Sequence, residues 1–121
     1  GVVDFVRAGH TAPLHIGPGG RARYVGKPQP ALGMIEDAAY VSERMTLESG
    51  ETLLLYTDGA IEIANAQGDE LGESGLIALL DRKGVLCDGV PRLDVLEESL
   101  LTYSSGIHLS DDLTLLAITR R

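Results

Sequence analysis

The chain has 121 residues, room for one compact core. Ten Lys and Arg against 18 Asp and Glu leave a formal charge of −8, which repels polyanions and offers no basic stripe for a phosphate backbone, so nucleic acid is excluded as a partner. The single cysteine, Cys87, excludes an internal disulfide. No apolar run approaches the ~18 residues of a membrane span and no charged-then-apolar signal segment leads the chain, so the expected location is cytoplasmic.

One Phe, four Tyr and no Trp make the core aliphatic. Val2 to Ala8 alternates loosely and stops at Gly9; HTAPLHIGPGG then predicts a turn, a short strand around Leu14 and Ile16, and a tight turn. Arg21 to Val25 reads as a returning strand. KPQPALGM is a loop, because each proline removes a donor and fixes φ. Ala39 to Leu47 alternates as a half-buried strand, ESGE turns, and Thr52 to Thr57 follows, which predicts a hairpin. After Gly59, Ile61 and Ala64 suggest two helical turns ended by Asn65 and Gly68. Glu73 to Lys83 predicts a helix stopped by Gly84, and a second helix is marked by Pro91 in its first turn, Leu93, Leu96, Leu100 and Leu101 on one face, and Gly106 as its cap. Leu113 to Thr119, apolar on both faces, reads as a central strand. The order implies an α+β fold with helices on antiparallel sheets.

Thr52 to Thr57 and Leu113 to Thr119 are the two most continuously apolar strands. Asp58 ends the first; Asp111 and Asp112 begin the second. Antiparallel neighbours bring those ends together, and because successive side chains alternate in facing, only one of Asp111 and Asp112 joins Asp58. Two converging carboxylates repel unless a cation sits between them. Oxygen ligands without Cys or His favour Mg²⁺ or Mn²⁺ over zinc. Gly59 allows a close approach of backbone and ligand. Asp-Gly is also a common turn signal and acids often cap helices, so the second acid pair is what makes the metal reading the stronger one.

These residues resemble the PPM-type metal-dependent protein phosphatases, in their bacterial SpoIIE/RsbU-like branch. The matching pieces are VRAGHTAPL at 6 to 14, PALG at 30 to 33, SGETLLLYTDGAIEIANAQGDELG at 49 to 72 and SDDLTLLAI at 110 to 118. The resemblance implies an α-β-β-α sandwich of mostly antiparallel sheets, with a two-metal site at one end. It carries metal ligation, and with it catalysis, over to Asp58 and Asp111, and gives Asp112 a supporting place. It also implies hydrolysis of phosphoserine or phosphothreonine on a small regulatory protein, such as an anti-anti-sigma factor, by water activated on Mn²⁺ or Mg²⁺, with a sensor or receiver domain upstream. The family's earlier metal motif, an aspartate in a D-x-x-G-H-G-like segment, has no counterpart. Residues 1–121 are therefore expected to be one such domain lacking its N-terminal half, a piece that opens in a strand, is inactive alone, and exposes a sheet edge inviting a homodimer. The alternative is a phosphatase-like binding or regulatory module without turnover.

His10 touches substrate or orients the loop beside the site, although a His after Gly at a strand end is more often a turn residue bonded to backbone. Glu62 supports either a metal-held water or simply the start of the expected helix. Arg7 is a phosphate contact or a solvated strand residue. His15 and His108 show no ligand spacing, and Cys87 has no histidine partner nearby. Tyr56 stands two positions before Asp58, where a haloacid-dehalogenase-like D-x-D-G enzyme carries its nucleophilic aspartate, which excludes that class.

Overall fold

The computed structural model describes residues 1–106 and 111–121. In chain order the elements are β1 (Val2–Phe5), β2 (Leu14–Ile16), β3 (Ala22–Tyr24), β4 (Glu43–Thr46), β5 (Thr52–Tyr56), α1 (Gly72–Leu80), β6 (Leu86–Cys87), β7 (Val90–Pro91), α2 (Leu93–Tyr103) and β8 (Leu115–Thr119). Four strands form an antiparallel sheet in the order β3-β2-β5-β8, while β1 and β4 pair separately. This is the expected α+β class. No described helix is long and apolar enough to cross a membrane.

The core follows from period-two alternation meeting helical spacing. Leu14, Ile16, Leu54 and Tyr56 share one sheet face. Against them pack Leu76, Leu79 and Leu80 of α1 and Leu96 and Leu100 of α2, all buried. Each such side chain, removed from water, contributes about 1.5–3 kcal/mol. The expected antiparallel neighbours pair as anticipated, from Thr52 opposite Thr119 to Tyr56 opposite Leu115.

Four expectations are corrected. First, β8 is an edge strand and not a central one: Leu116 and Ile118 are 53% and 48% exposed. Second, β4 and β5 are not a hairpin. β4 is short and pairs with β1, Val2 opposite Thr46, and the chain then crosses to the other sheet. The crossing is held by the Glu51 carboxylate, which accepts from the Glu48 amide at 2.9 Å. Upstream of β4, the Gln29 side chain satisfies both the amide and the carbonyl of Val41, so that segment needs no strand partner.

Third, residues 59–68 form no α-helix. A 3-10 turn, Asp58–Ala60, leads into a loop in which Asn65 Oδ1 accepts from the amides of Gln67 and Asp69 and Ala64 bridges Glu70. The asparagine offers the backbone a competing partner, and the helix does not form. Fourth, Pro91 lies in β7 opposite Leu86, and α2 begins two residues later. The β6–β7 hairpin turns on Asp88 and Gly89, both at positive φ (51° and 81°), as a two-residue hairpin loop requires. His108 lies outside the described residues.

Candidate metal centre

Asp58 stands one residue beyond Thr57 at the end of β5, and Asp111 precedes β8, its antiparallel neighbour. The pairing that joins the strands therefore brings the acids to one end of the sheet. The 3-10 turn adds a third: the Asp58 carbonyl accepts from both the Ile61 and Glu62 amides at 2.9 Å, which folds Glu62 back over Asp58. Carboxylate oxygens of Asp58, Glu62 and Asp111 lie within 4.8 Å of one another, all exposed to solvent. None of the three makes an ion pair among the described residues.

The donor set suits a hard divalent cation. Oxygens around octahedral Mg²⁺ or Mn²⁺, ligated at about 2.1 Å, stand about 3 to 4.2 Å apart. The 4.8 Å that bounds the cluster is close to this range, and exposed carboxylates adjust their separation by turning about their side-chain bonds. With no thiolate or imidazole among the three, zinc is disfavoured.

Asp112 is the acid that does not join. Its amide donates to Asp111 Oδ1 at 2.8 Å, and its carbonyl accepts from Thr57 Oγ1 at 2.9 Å. Gly59 is where a close approach demands glycine: a Cβ there would lie 2.5 Å from the Asp112 oxygen. The close neighbour is thus the acid loop's own backbone.

His10 lines a cleft of about 150 Å³ with Gly9, Thr11, Thr57 and Asp58. Its Nδ1 lies 3.0 Å from the Thr11 carbonyl, and since a carbonyl only accepts, Nδ1 is the donor in this contact. Arg7 Nε donates to the His10 carbonyl at 2.6 Å, so Arg7 holds this turn. Gly9, at φ +71°, packs so tightly on Ala31 that a Cβ would lie 2.4 Å from the alanine methyl. The glycine-histidine turn and the proline-alanine loop are therefore one packed unit. His15, without ligand spacing in the sequence, meets Glu51 at 3.0 Å instead, and Cys87 is exposed.

Glu62 is the residue that a helical reading of 59–68 undervalues. The signal was present: Asp58 and Glu62 are four residues apart, the spacing that brings side chains together in a single turn. The roles of Thr57 and Thr11 had no such signal, because their partners, the Asp112 and Tyr56 carbonyls, are distant in sequence.

The α+β fold has solved counterparts in the PP2C phosphatase domains. The chain superposes on the Bacillus subtilis SpoIIE phosphatase domain with a TM-score of 0.76 at 21% identity, covering 96% of this chain and 33% of that one. The same domain has also been crystallised after a manganese presoak. The profile of the Stage II sporulation protein E (SpoIIE) family matches residues 1–121, and the chain belongs to that family. Protein IcfG of Synechocystis is 23% identical over 120 residues, 99% of this chain and 19% of that protein. Phosphoserine phosphatase RsbP of Bacillus subtilis is 33% identical over 60 residues, 50% of this chain and 15% of that one. The chain thus spans less than a fifth of either curated relative.

Proposed function

We propose that these residues form the metal-binding end of a serine/threonine protein phosphatase that hydrolyses phosphoserine or phosphothreonine on a regulatory protein, such as an anti-anti-sigma factor, in bacterial signalling. The observation that carries the reading is the convergence of Asp58, Glu62 and Asp111, three carboxylates with no protein cation among the described residues to balance them. Membership of the SpoIIE family and the PP2C fold supply the reaction class. Asp58 and Asp111 would hold Mn²⁺ or Mg²⁺, with Glu62 beside them. Bound divalent cations supply phosphate-oxygen binding and acidification of water to such a site. Asp112 and Gly59 shape the backbone beneath the acids, and His10, in the cleft beside Asp58, faces the approaching substrate. Activity is proposed for the polypeptide in which these elements join the others of a phosphatase domain, with a sensor or receiver domain upstream.

The test is phosphate release from a phosphoserine protein by the full-length enzyme, with Mn²⁺ and with chelator. Release is expected from the parent with Mn²⁺ only, and only at background level from Asp58→Asn and Asp111→Asn. Equal rates in parent and Asp58→Asn would refute the ligand assignment. A parent without turnover whose partner affinity ignores chelator is the binding module instead.

A further inference from the structure

The ladder between β5 and β8 ends in its regular form at Tyr56 and Leu115, yet Asp111 lies four residues further along. This non-strand segment is held against the end of β5 by Thr57, through two hydrogen bonds of its hydroxyl and one of its amide. Thr57 Oγ1 donates to the Asp112 carbonyl at 2.9 Å and accepts from the Thr114 amide at 2.9 Å, while the Thr57 amide donates to the Thr114 carbonyl at 3.1 Å. A hydroxyl offers one donor, and here both its donor and an acceptor position are used on the same three-residue stretch. From the other side, Gly59 leaves just enough room for the Asp112 carbonyl, so that carbonyl is caught between the threonine hydroxyl and the glycine backbone. Thr57 is itself tied down, because Thr11 Oγ1 donates to the carbonyl of the preceding residue, Tyr56.

We infer that Thr57 is a positioning residue of the metal site: its hydroxyl clamps the Asp111–Thr114 segment to the end of β5 and thereby sets the distance between the Asp58 and Asp111 carboxylates. The inference rests on the reading of those acids as cation ligands. It goes beyond that reading because Thr57 is not a member of the carboxylate cluster and acts through the segment that carries Asp111. A valine at 57 keeps the branched shape and strand preference and loses both hydrogen bonds; a serine keeps both. The clamp thus separates from bulk and from β-propensity by a pair of substitutions.

The experiment is a Mn²⁺ titration of the full-length protein, with free ion read by electron paramagnetic resonance, for the parent, Thr57→Val, Thr57→Ser and Asp58→Asn. Groups that orient ligands without binding metal are worth roughly 10- to 100-fold in affinity, and a loss in that range is expected for Thr57→Val. Thr57→Ser is expected to bind as the parent does, and Asp58→Asn to lose saturable binding. In metal-free protein, the Thr114 amide should exchange with solvent faster in Thr57→Val and at the parent's rate in Thr57→Ser. Thr57→Val binding Mn²⁺ as tightly as the parent, with Asp58→Asn defective, overturns the clamp and leaves the metal site standing. Thr57→Ser as weak as Thr57→Val also overturns it, since the hydroxyl is then not the cause. A parent with no saturable Mn²⁺ site overturns the metal reading and the clamp's role together.

Discussion

β5 carries a glutamate before its first residue and an aspartate two beyond its last, and the two ends treat their acids oppositely. At the start, Glu51 is 8% exposed and has its charge met by the protein: His15 Nε2 lies at 3.0 Å and the Glu48 amide at 2.9 Å. The Glu48 amide, and then His15, hold its carboxyl below the usual range. At the other end Asp58, Glu62 and Asp111 are exposed, crowded and without a protein cation among the described residues. A charge satisfied internally fixes a chain crossing; charges left to solvent at close quarters are, in the function proposed above, the ones that receive an ion. One strand thus has at its start a carboxylate that builds the fold and at its finish one of the three carboxylates proposed above as cation ligands.

The contrast breaks most severely with Glu51→Ala. That change leaves the Glu48 amide and the His15 ring without their partner where the chain passes between sheets, and thermal unfolding should show a larger fall in melting temperature than any single substitution within the acid cluster produces. Mn²⁺ should still raise the melting temperature of this variant. A Glu51→Ala protein as stable as the parent would show that both ends are equally dispensable to the fold.

Mn²⁺ gives the converse effect. At a hundredfold excess over its dissociation constant, an ion binding only the native state adds about 2.7 kcal/mol, which should appear as a raised melting temperature in the parent and vanish in Asp58→Asn. In chelator, Asp58→Asn should be at least as stable as the parent, because it relieves repulsion among the acids.

Acid distinguishes the ends further. Glu51 has a folded pKa below its unfolded one, so its contribution is fully present above the ordinary glutamate range and is lost as pH falls through the depressed folded value. Chemical denaturation of the parent and Glu51→Gln across that acidic window should show a steeper loss in the parent. Parallel curves would remove Glu51 from the account of stability.

The smallest expected effect lies between the two ends. Tyr56 is 2% exposed, and its hydroxyl has no hydrogen-bond partner among the described residues, the neighbouring Tyr24 hydroxyl donating to the Glu73 carbonyl at 2.6 Å. Tyr56→Phe should therefore change unfolding free energy by less than about 1 kcal/mol, in either direction, measured by denaturant titration.

Much of this was legible in the residues alone. Two apolar runs of strand length, each flanked by acid, bring those acids to one end if the runs are antiparallel neighbours, and they are. Both helices lay in the leucine spacing, and TDG with SDDLT carried the family resemblance. Whether Asp111 or Asp112 turns toward Asp58, that β8 sits at a sheet edge, that Glu62 joins the cluster and that Glu51 finds His15 were decided by tertiary structure. The reason is physical. Alternation and apolar spacing are local properties that a sequence displays directly. A side chain's direction beyond a strand end, and the partner of a buried charge, depend on hydrogen bonds between residues far apart in the chain, such as Thr57 to Asp112 and His15 to Glu51, which exist only once the sheet has formed.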